Sequence, residues 1–503
     1  MTARRLRGRI PIGWLALILF LAALAARLAY LNSRGLWGDE FWTVIAIRLP
    51  LPGLIENRIT RGHLPTYFLL LKPWYELFGE SEWSLRMPSA IASAAAVPLL
   101  YLFVARLWNP TAALWAALFL LLNQRAVWTG QEARSFCLIL LAAAGSFHAL
   151  VHALEGKRRW VWAYGLWSLF GALQLAIYPL LFIWQGVVTA GWLIWRRRWR
   201  WGWAVAWLIV AAAAAAAYLY LGAHATESKT EGLPGWYPWR LYAKALTEVF
   251  WGEFDYVFPR DIFRWVGLAL AVGVIAAAGV GSRRMSRAGA AEGAAEGAPP
   301  ALVSPVFGWW LGVTWAMAVL VSFALISGLF QVLDDSTRYF TIGTAGAAAL
   351  SGVAVASISR RVVRRIAGLA LLALLAANTA GWYMHPGDQI REAVRLVAEQ
   401  RRPDEPVFIC RDTQAETIAD YYGLGTAPIG IPRARIGRFQ IERILEEGTA
   451  GAPGFWIILY KERHTPLPMV ARRWAEGKFE LQGGWNFSRS RVQQYVRGSG
   501  GGE

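Results

Sequence analysis

The strongest constraint on this chain is a series of apolar runs about 20 residues long. A helix of that length crosses a hydrocarbon core roughly 30 Å thick. Runs near 11–31, 87–105, 111–123, 135–154, 160–177, 180–195, 202–222, 263–281, 306–327, 339–358 and 366–383 amount to about eleven spans. The first follows a basic start and resembles a signal peptide. It is too long for one and lacks a small-residue cleavage site, so it reads as the first span.

The formal net charge of +18 raises the question of nucleic-acid binding. The distribution of the charge answers it. Alternate connections hold Arg4 to Arg9, Arg106, Lys157–Arg159, Arg196–Arg200, Arg283 to Arg287 and Arg360 to Arg365. By count these are about 19 basic residues against about three acidic ones, which orients those connections toward the cytoplasm. The other connections, up to Arg338, are close to neutral, as is the tail from Met384. The charge is a positive-inside bias, and no nucleic-acid partner is expected. Cys137 and Cys410, one in a span and one in the tail, suggest neither a disulfide nor a metal site.

An odd number of spans with a cytoplasmic N-terminus puts the tail outside. The tail reads as a helix over 389–400, a strand over 406–410, helices over 414–422 and 439–447, and a strand over 455–460. Two short strands follow near 478–482 and 491–496. The expected fold class is therefore an all-α polytopic membrane protein over 1–384 with a small C-terminal α/β extracytoplasmic domain over 385–503. The location expected is the plasma (inner) membrane, multi-pass. Ala288 to Pro300 reads as a low-complexity cytoplasmic linker.

Ionisable residues are nearly absent from the spans. Arg27, near an outer end, can snorkel; His148 and His152 lie toward an inner end. Ion-coupled transporters usually keep carboxylates near the midplane, and no Asp or Glu lies mid-span. Polar clusters lie instead in the external connections: Asp39–Glu40, His63, Glu82 with Arg86, Gln131–Glu132 with Arg134, Glu253 with Asp255, and Asp334–Asp335 with Arg338. A single outward-facing interfacial site would explain them.

At these residues the chain resembles the GT-C glycosyltransferases of the protein O-mannosyltransferase and aminoarabinose-transferase type. LWGDEFWT (Leu36–Thr43) is similar to that family's Asp-Glu pair in the first external loop, here 32–83. GHLPTYFLLLKPW (Gly62–Trp74) resembles its HPPLYYLLL segment, and SEWSLRMPSA (Ser81–Ala90) its Arg-x-Pro entry to the second span. QEARSF (Gln131–Phe136) resembles its Glu-x-Arg-x-Tyr element, and TRYF (Thr337–Phe340) its late Arg-Tyr motif. Leu64 stands for the first Pro of His-Pro-Pro, and Phe136 for the usual Tyr, which removes a hydroxyl.

The resemblance implies transfer of a sugar from a polyprenyl-phosphate carrier to an acceptor hydroxyl, with inversion, outside the cytoplasm. The acceptor would be a lipid, glycan or protein. Such a reaction needs a base at the attacking hydroxyl and stabilisation of the leaving phosphate. Asp39 is the expected base and Glu40 its orienter; the competing role for Asp39 is N-cap of the following helix. Arg86, Arg134 and Arg338 suit phosphate through their planar forks. Their structural alternatives are snorkelling for Arg86, a surface charge beside Glu132 for Arg134, and an ion pair with Asp334 or Asp335 for Arg338. His63 contacts phosphate or acceptor, or is structural. Glu132, Tyr67, Tyr339 and Asp335 are weaker substrate-binding assignments. Trp236, Tyr237 and Trp239 could stack on sugar, but with 29 tryptophans in the chain an interfacial role is favoured. Glu253 and Asp255 could contact sugar or acceptor.

No cofactor and no metal are expected, because a monophosphate leaving group carries little charge and several arginines are at hand. Two other classes compete. A lipid-linked glycan flippase or transporter is disfavoured by the missing intramembrane carboxylates. An O-antigen ligase or polymerase is disfavoured by the acidic pair directly after the first span.

Overall fold

The computed structural model describes residues 11–226, 239–253, 260–295, 303–326, 337–410, 412–432, 437–460 and 467–498. In chain order the first helices are α1 (Ile12–Leu28), α2 (Gly38–Arg48), α3 (Leu51–Thr60), α4 (Thr66–Phe78), α5 (Glu82–Leu107), α6 (Pro110–Leu121) and α7 (Gln124–Gly130). Then come α8 (Phe136–Leu154), α9 (Arg158–Ala172), α10 (Tyr178–Trp195), α11 (Trp201–His224), α12 (Trp239–Trp251), α13 (Arg260–Ala295) and α14 (Pro305–Ile326). A 3₁₀ turn (Thr337–Gly343) leads into α15 (Thr344–Ala356), followed by α16 (Arg361–Met384) and α17 (Ile390–Gln400). The remainder is β1 (Val407–Cys410), α18 (Asp412–Tyr421), β2 (Ile429–Ile431), α19 (Arg438–Gly448), β3 (Gly454–Tyr460), α20 (Leu467–Ala475), β4 (Phe479–Phe487) and β5 (Ser490–Arg497).

Every expected span contains a helix. Among the described residues eight helices are long and apolar enough to cross a membrane, so this is a multi-pass membrane protein. Helices α1, α6 and α9 have 17, 12 and 15 residues and fall short of that length. The expected linker needs correction. Over 288–295 helix α13 continues through Ala295, because an Ala-rich AGAAEGAA stretch is a good helix former, and 296–300 lie outside the described residues.

The chain forms two compact units. One comprises Met1–Ala29, Leu51–Gly79 and Ser84–Met384. The other comprises His385–Glu503 together with Tyr30–Pro50 and Glu80–Trp83.

In the membrane unit, α8 and α15 are the most enclosed spans, with 78% and 89% of their apolar windows buried. Small residues make this possible. A Cβ on Gly352 of α15 would stand 2.5 Å from the carbonyl oxygen of Ala112 in α6, and one on Gly346 2.6 Å from the Ala316 nitrogen in α14. Between helices in lipid, such close backbone approach supplies the packing that hydrophobicity does not. Spans α11, α13 and α16 are 17%, 28% and 22% buried and leave apolar flanks outward.

The second unit is built on a five-stranded sheet of order β2-β1-β3-β5-β4. Strands β1, β2 and β3 are parallel, while β3–β5 and β5–β4 are antiparallel. All seven residues of β3 (GFWIILY) are buried, as a continuous apolar run predicts for a central strand. Strand β2 and helix α20 were not anticipated: β2 has only three residues, and α20 has a proline, Pro468, at its second position. The chain leaves β1 in one direction to β2 and returns to the other side for β3. The carboxyl ends of β1 and β3 therefore flank a topological switch point.

Candidate active site

In the membrane unit four of the motifs are brought together. The Tyr67 hydroxyl on α4 lies 3.2 Å from that of Ser89 on α5. Cys137, the second residue of α8, donates its thiol to the Arg134 carbonyl at 3.3 Å and lies within electrostatic reach of Ser89 and Glu132. Arg86 precedes Ser89 by three residues, so it sits one turn away on the same face of α5, and it is buried. Phe136 is the meeting point with the late motif. The Arg338 guanidinium lies 5.8 Å from the Phe136 ring centre and 5.4 Å from that of Tyr339. The Phe136 and Tyr339 rings meet edge to face at 5.9 Å. Losing the tyrosine hydroxyl at 136 thus leaves intact the aromatic face that an arginine uses.

The QEARSF turn is fixed by its glutamine. Gln131 donates to the carbonyls of Arg27 and Ala29 at 3.0 and 2.7 Å, and accepts from the Trp382 indole at 2.9 Å. Arg134 follows with its backbone N–H on the Glu132 carbonyl at 2.8 Å. Half-buried, it is not the plain surface charge of the competing reading. His63 stands exposed after α3, at a turn made by Gly62 with φ 72°.

Arg27 corrects the snorkelling expectation. It is 0% exposed and donates to the Ser93 hydroxyl at 3.2 Å and to the carbonyls of Leu121 and Leu120 at 2.8 and 3.3 Å. These carbonyls end α6, where a cation meets the negative pole of the helix. Reaching them costs less than pulling the charge to water through a packed bundle. Arg125 is a second buried cation that the sequence did not single out. It pairs with Glu248 and lies 3.2 Å from Glu253, which gives Glu253 a structural partner beside its suggested substrate role.

In the second unit the acidic pair begins α2. The N-cap is Trp37, which places Asp39 at N2 and Glu40 at N3. Asp39 is therefore not the cap. Glu40 is fully buried and reaches back to accept the Trp37 N–H at 3.3 Å. Asp39 is half-buried.

The α/β core of this unit grips the backbone just before the pair. Tyr460 ends β3, and its hydroxyl accepts the Gly38 N–H at 2.8 Å and donates to Asp388 at 2.6 Å. Gln414, in the first turn of α18, donates to the Gly38 carbonyl at 2.7 Å. Tyr422 repeats the pattern: it accepts the Leu36 N–H at 2.6 Å and donates to Glu82 at 3.0 Å. Glu82 also binds Arg391 at 2.7 Å, which in turn holds the Ser33 carbonyl at 2.8 Å. Burial, and then the Glu82 charge, push the Tyr422 phenol well above its ordinary range. Burial would lower the Arg391 guanidinium, but Glu82 and Glu392 outweigh it and raise it. The switch point, where open α/β sheets usually hold a ligand, here holds residues 36–38 of the same chain. The aromatic and amide residues responsible lie in the tail, where nothing in their spacing marks them.

Asp334, Asp335, Asp255, Trp236 and Tyr237 lie outside the described residues, as does the side chain of Trp239. Among the described residues no group of three or more His, Cys, Asp or Glu could hold a metal ion.

Residues 62–221 match the model of the dolichyl-phosphate-mannose-protein mannosyltransferase family. The chain is similar in structure to ArnT from Cupriavidus metallidurans in the apo state, with a TM-score of 0.56, 14% identity, and coverage of 96% of this chain and 98% of that one. The same values hold for ArnT bound to undecaprenyl phosphate. No curated protein matches the sequence. Taken with the helical membrane unit and the small α/β unit, these likenesses show that the chain has an ArnT-like fold.

Proposed function

We propose that this chain is an inverting glycosyltransferase that moves a sugar from a polyprenyl-phosphate donor to an acceptor hydroxyl at the outer face of the plasma membrane. The observation that carries the reading is the convergence of Tyr67, Arg86, Glu132 and Phe136 with Arg338 and Tyr339 within one unit. It is supported by the ArnT fold, one structure of which holds undecaprenyl phosphate.

In this mechanism the Asp39 carboxylate takes the proton of the acceptor hydroxyl. That oxygen attacks the anomeric carbon from the face opposite the carrier, and the bond from that carbon to the phosphate oxygen breaks. The charge released on the carrier phosphate is met by Arg86, Arg134 and Arg338, as preorganised cations stabilise a leaving group best in a dry site. His63, Glu132, Tyr67, Tyr339 and Asp335 contact donor or acceptor. Glu40 shapes the first turn of α2 and so orients Asp39. The test is purified protein with a panel of polyprenyl-phosphate sugars, scored by release of free polyprenyl phosphate with inverted product. Absence of transfer from every member, by folded protein and with acceptor mixtures from the cell envelope, would reject the reading.

A further inference from the structure

One end of the membrane unit has a cavity that the proposed reaction does not use. It measures about 610 Å³ and lies among the ends of α8, α9, α10 and α11. Three arginines line it, Arg158, Arg198 and Arg200, and no carboxylate does. The nearest acid in sequence, Glu155, is engaged elsewhere by Arg106 at 2.5 Å. Helices α9 and α11 both begin at this wall, the first after Lys157 and the second after Arg200, and neither has a side-chain cap. Uncapped helix N-termini present unpaired N–H groups and a positive pole, which add to the arginines in favouring an anion.

The cavity is also amphipathic. Its inner wall includes Leu193 and Trp203, which are 4% and 3% exposed. Its rim includes Trp162 and Trp201, which are 51% and 78% exposed. Exposed tryptophan beside arginine is the pattern of a membrane interface. A soluble anion has no use for the apolar wall, whereas a lipid fills both parts.

We propose that this cavity binds the phosphate headgroup of an anionic membrane phospholipid, with the guanidinium groups on the phosphate and the upper acyl chain against Leu193 and Trp203. With the basic connections facing the cytoplasm, the orientation their charge bias implies, the cavity lies in the leaflet opposite the external loops, and this lipid is distinct from any polyprenyl-phosphate donor. The fit follows the general affinity of basic pockets between spans for acidic headgroups.

The experiment is native mass spectrometry of detergent-purified protein titrated with phosphatidylglycerol, phosphatidylcholine or inorganic phosphate. Wild-type protein should retain one phosphatidylglycerol in preference to phosphatidylcholine, and millimolar phosphate should not displace it. Arg158→Gln, Arg198→Gln and Arg200→Gln should each weaken retention roughly fivefold. Trp201→Ala, at an exposed rim position, should weaken it while leaving the arginines and the fold in place. Equal retention of the two lipids, or retention unchanged in the triple arginine variant, would overturn the proposal. Displacement by inorganic phosphate would overturn the lipid assignment in favour of a soluble anion.

Discussion

The hydroxyl of Tyr460 sits 2.8 Å from the backbone nitrogen of Gly38, the residue immediately before Asp39, and 2.6 Å from the Asp388 carboxylate. One phenol thus links the end of the central strand to the start of the helix that carries the acidic pair. Tyr460→Phe removes that link and takes the acceptor from the buried Gly38 N–H, while Asp388 keeps Arg489 at 3.2 Å; this should destabilise the second unit by about 1–3 kcal/mol. If the link positions Asp39, kcat should fall more than tenfold with donor KM nearly unchanged, since small misplacement of a reacting group is costly. Thermal unfolding and steady-state kinetics on the same preparation separate the outcomes. Lost stability with unchanged kcat would make the contact purely structural.

Asp39→Asn should keep the fold and donor binding and lose turnover by roughly two to four orders of magnitude, the range of general-base removal. Glu40→Gln should be far milder, because an amide oxygen can still accept the Trp37 N–H. Glu40→Ala should cost about 1 kcal/mol of stability through the lost cap. A near-wild-type kcat in Asp39→Asn would remove Asp39 from the mechanism.

Arg338→Ala should weaken donor use more than Arg338→Lys, because lysine keeps the charge but loses the bidentate fork. Phe136→Leu should lower donor affinity about two- to fivefold, from loss of a cation–π contact worth roughly 0.5–1 kcal/mol. Phe136→Tyr should be neutral or better. The measurement is donor KM in each variant. Normal donor handling by Arg338→Ala, Arg86→Ala and Arg134→Ala together would put the phosphate contacts elsewhere.

The Tyr422 phenol titrates well above the ordinary tyrosine value near 10 in the folded protein. The folded state therefore holds its proton more tightly than the unfolded state. That stabilisation is fully present below pH 10 and fades as pH rises from there toward the folded value. Stability should fall by up to about 1.4 kcal/mol per pH unit in this window. Tyr422→Phe should flatten the slope between pH 10 and 11, which melting curves can check.

Membrane orientation is open to a direct test. Single cysteines at Lys157 or Arg197 should resist a membrane-impermeant thiol reagent in intact cells, and one at Gln400 should react. The native Cys137 and Cys410 are both buried, which keeps the background low. Labelling of the first two but not the third would invert the topology.

The sequence by itself determined the membrane class and the helical spans, because hydrophobicity over 20 residues is a local property that lipid reads directly. It determined most of the tail as well, since GFWIILY and IREAVRLVAEQ carry their periods on their face. Ordered motifs such as QEARSF and TRYF marked the candidate site. The tertiary structure alone decided three things. It buried Arg27 on the end of α6, because the cost of a cation depends on which carbonyls lie within reach. It set Arg338 on Phe136, more than 200 residues away in sequence. And it placed residues 30–50 in one compact unit with the tail, holding Leu36 and Gly38 on Tyr422 and Tyr460. Those contacts join segments 386 and 422 residues apart through single backbone amides, which have no side chain and so leave no pattern in the sequence to read.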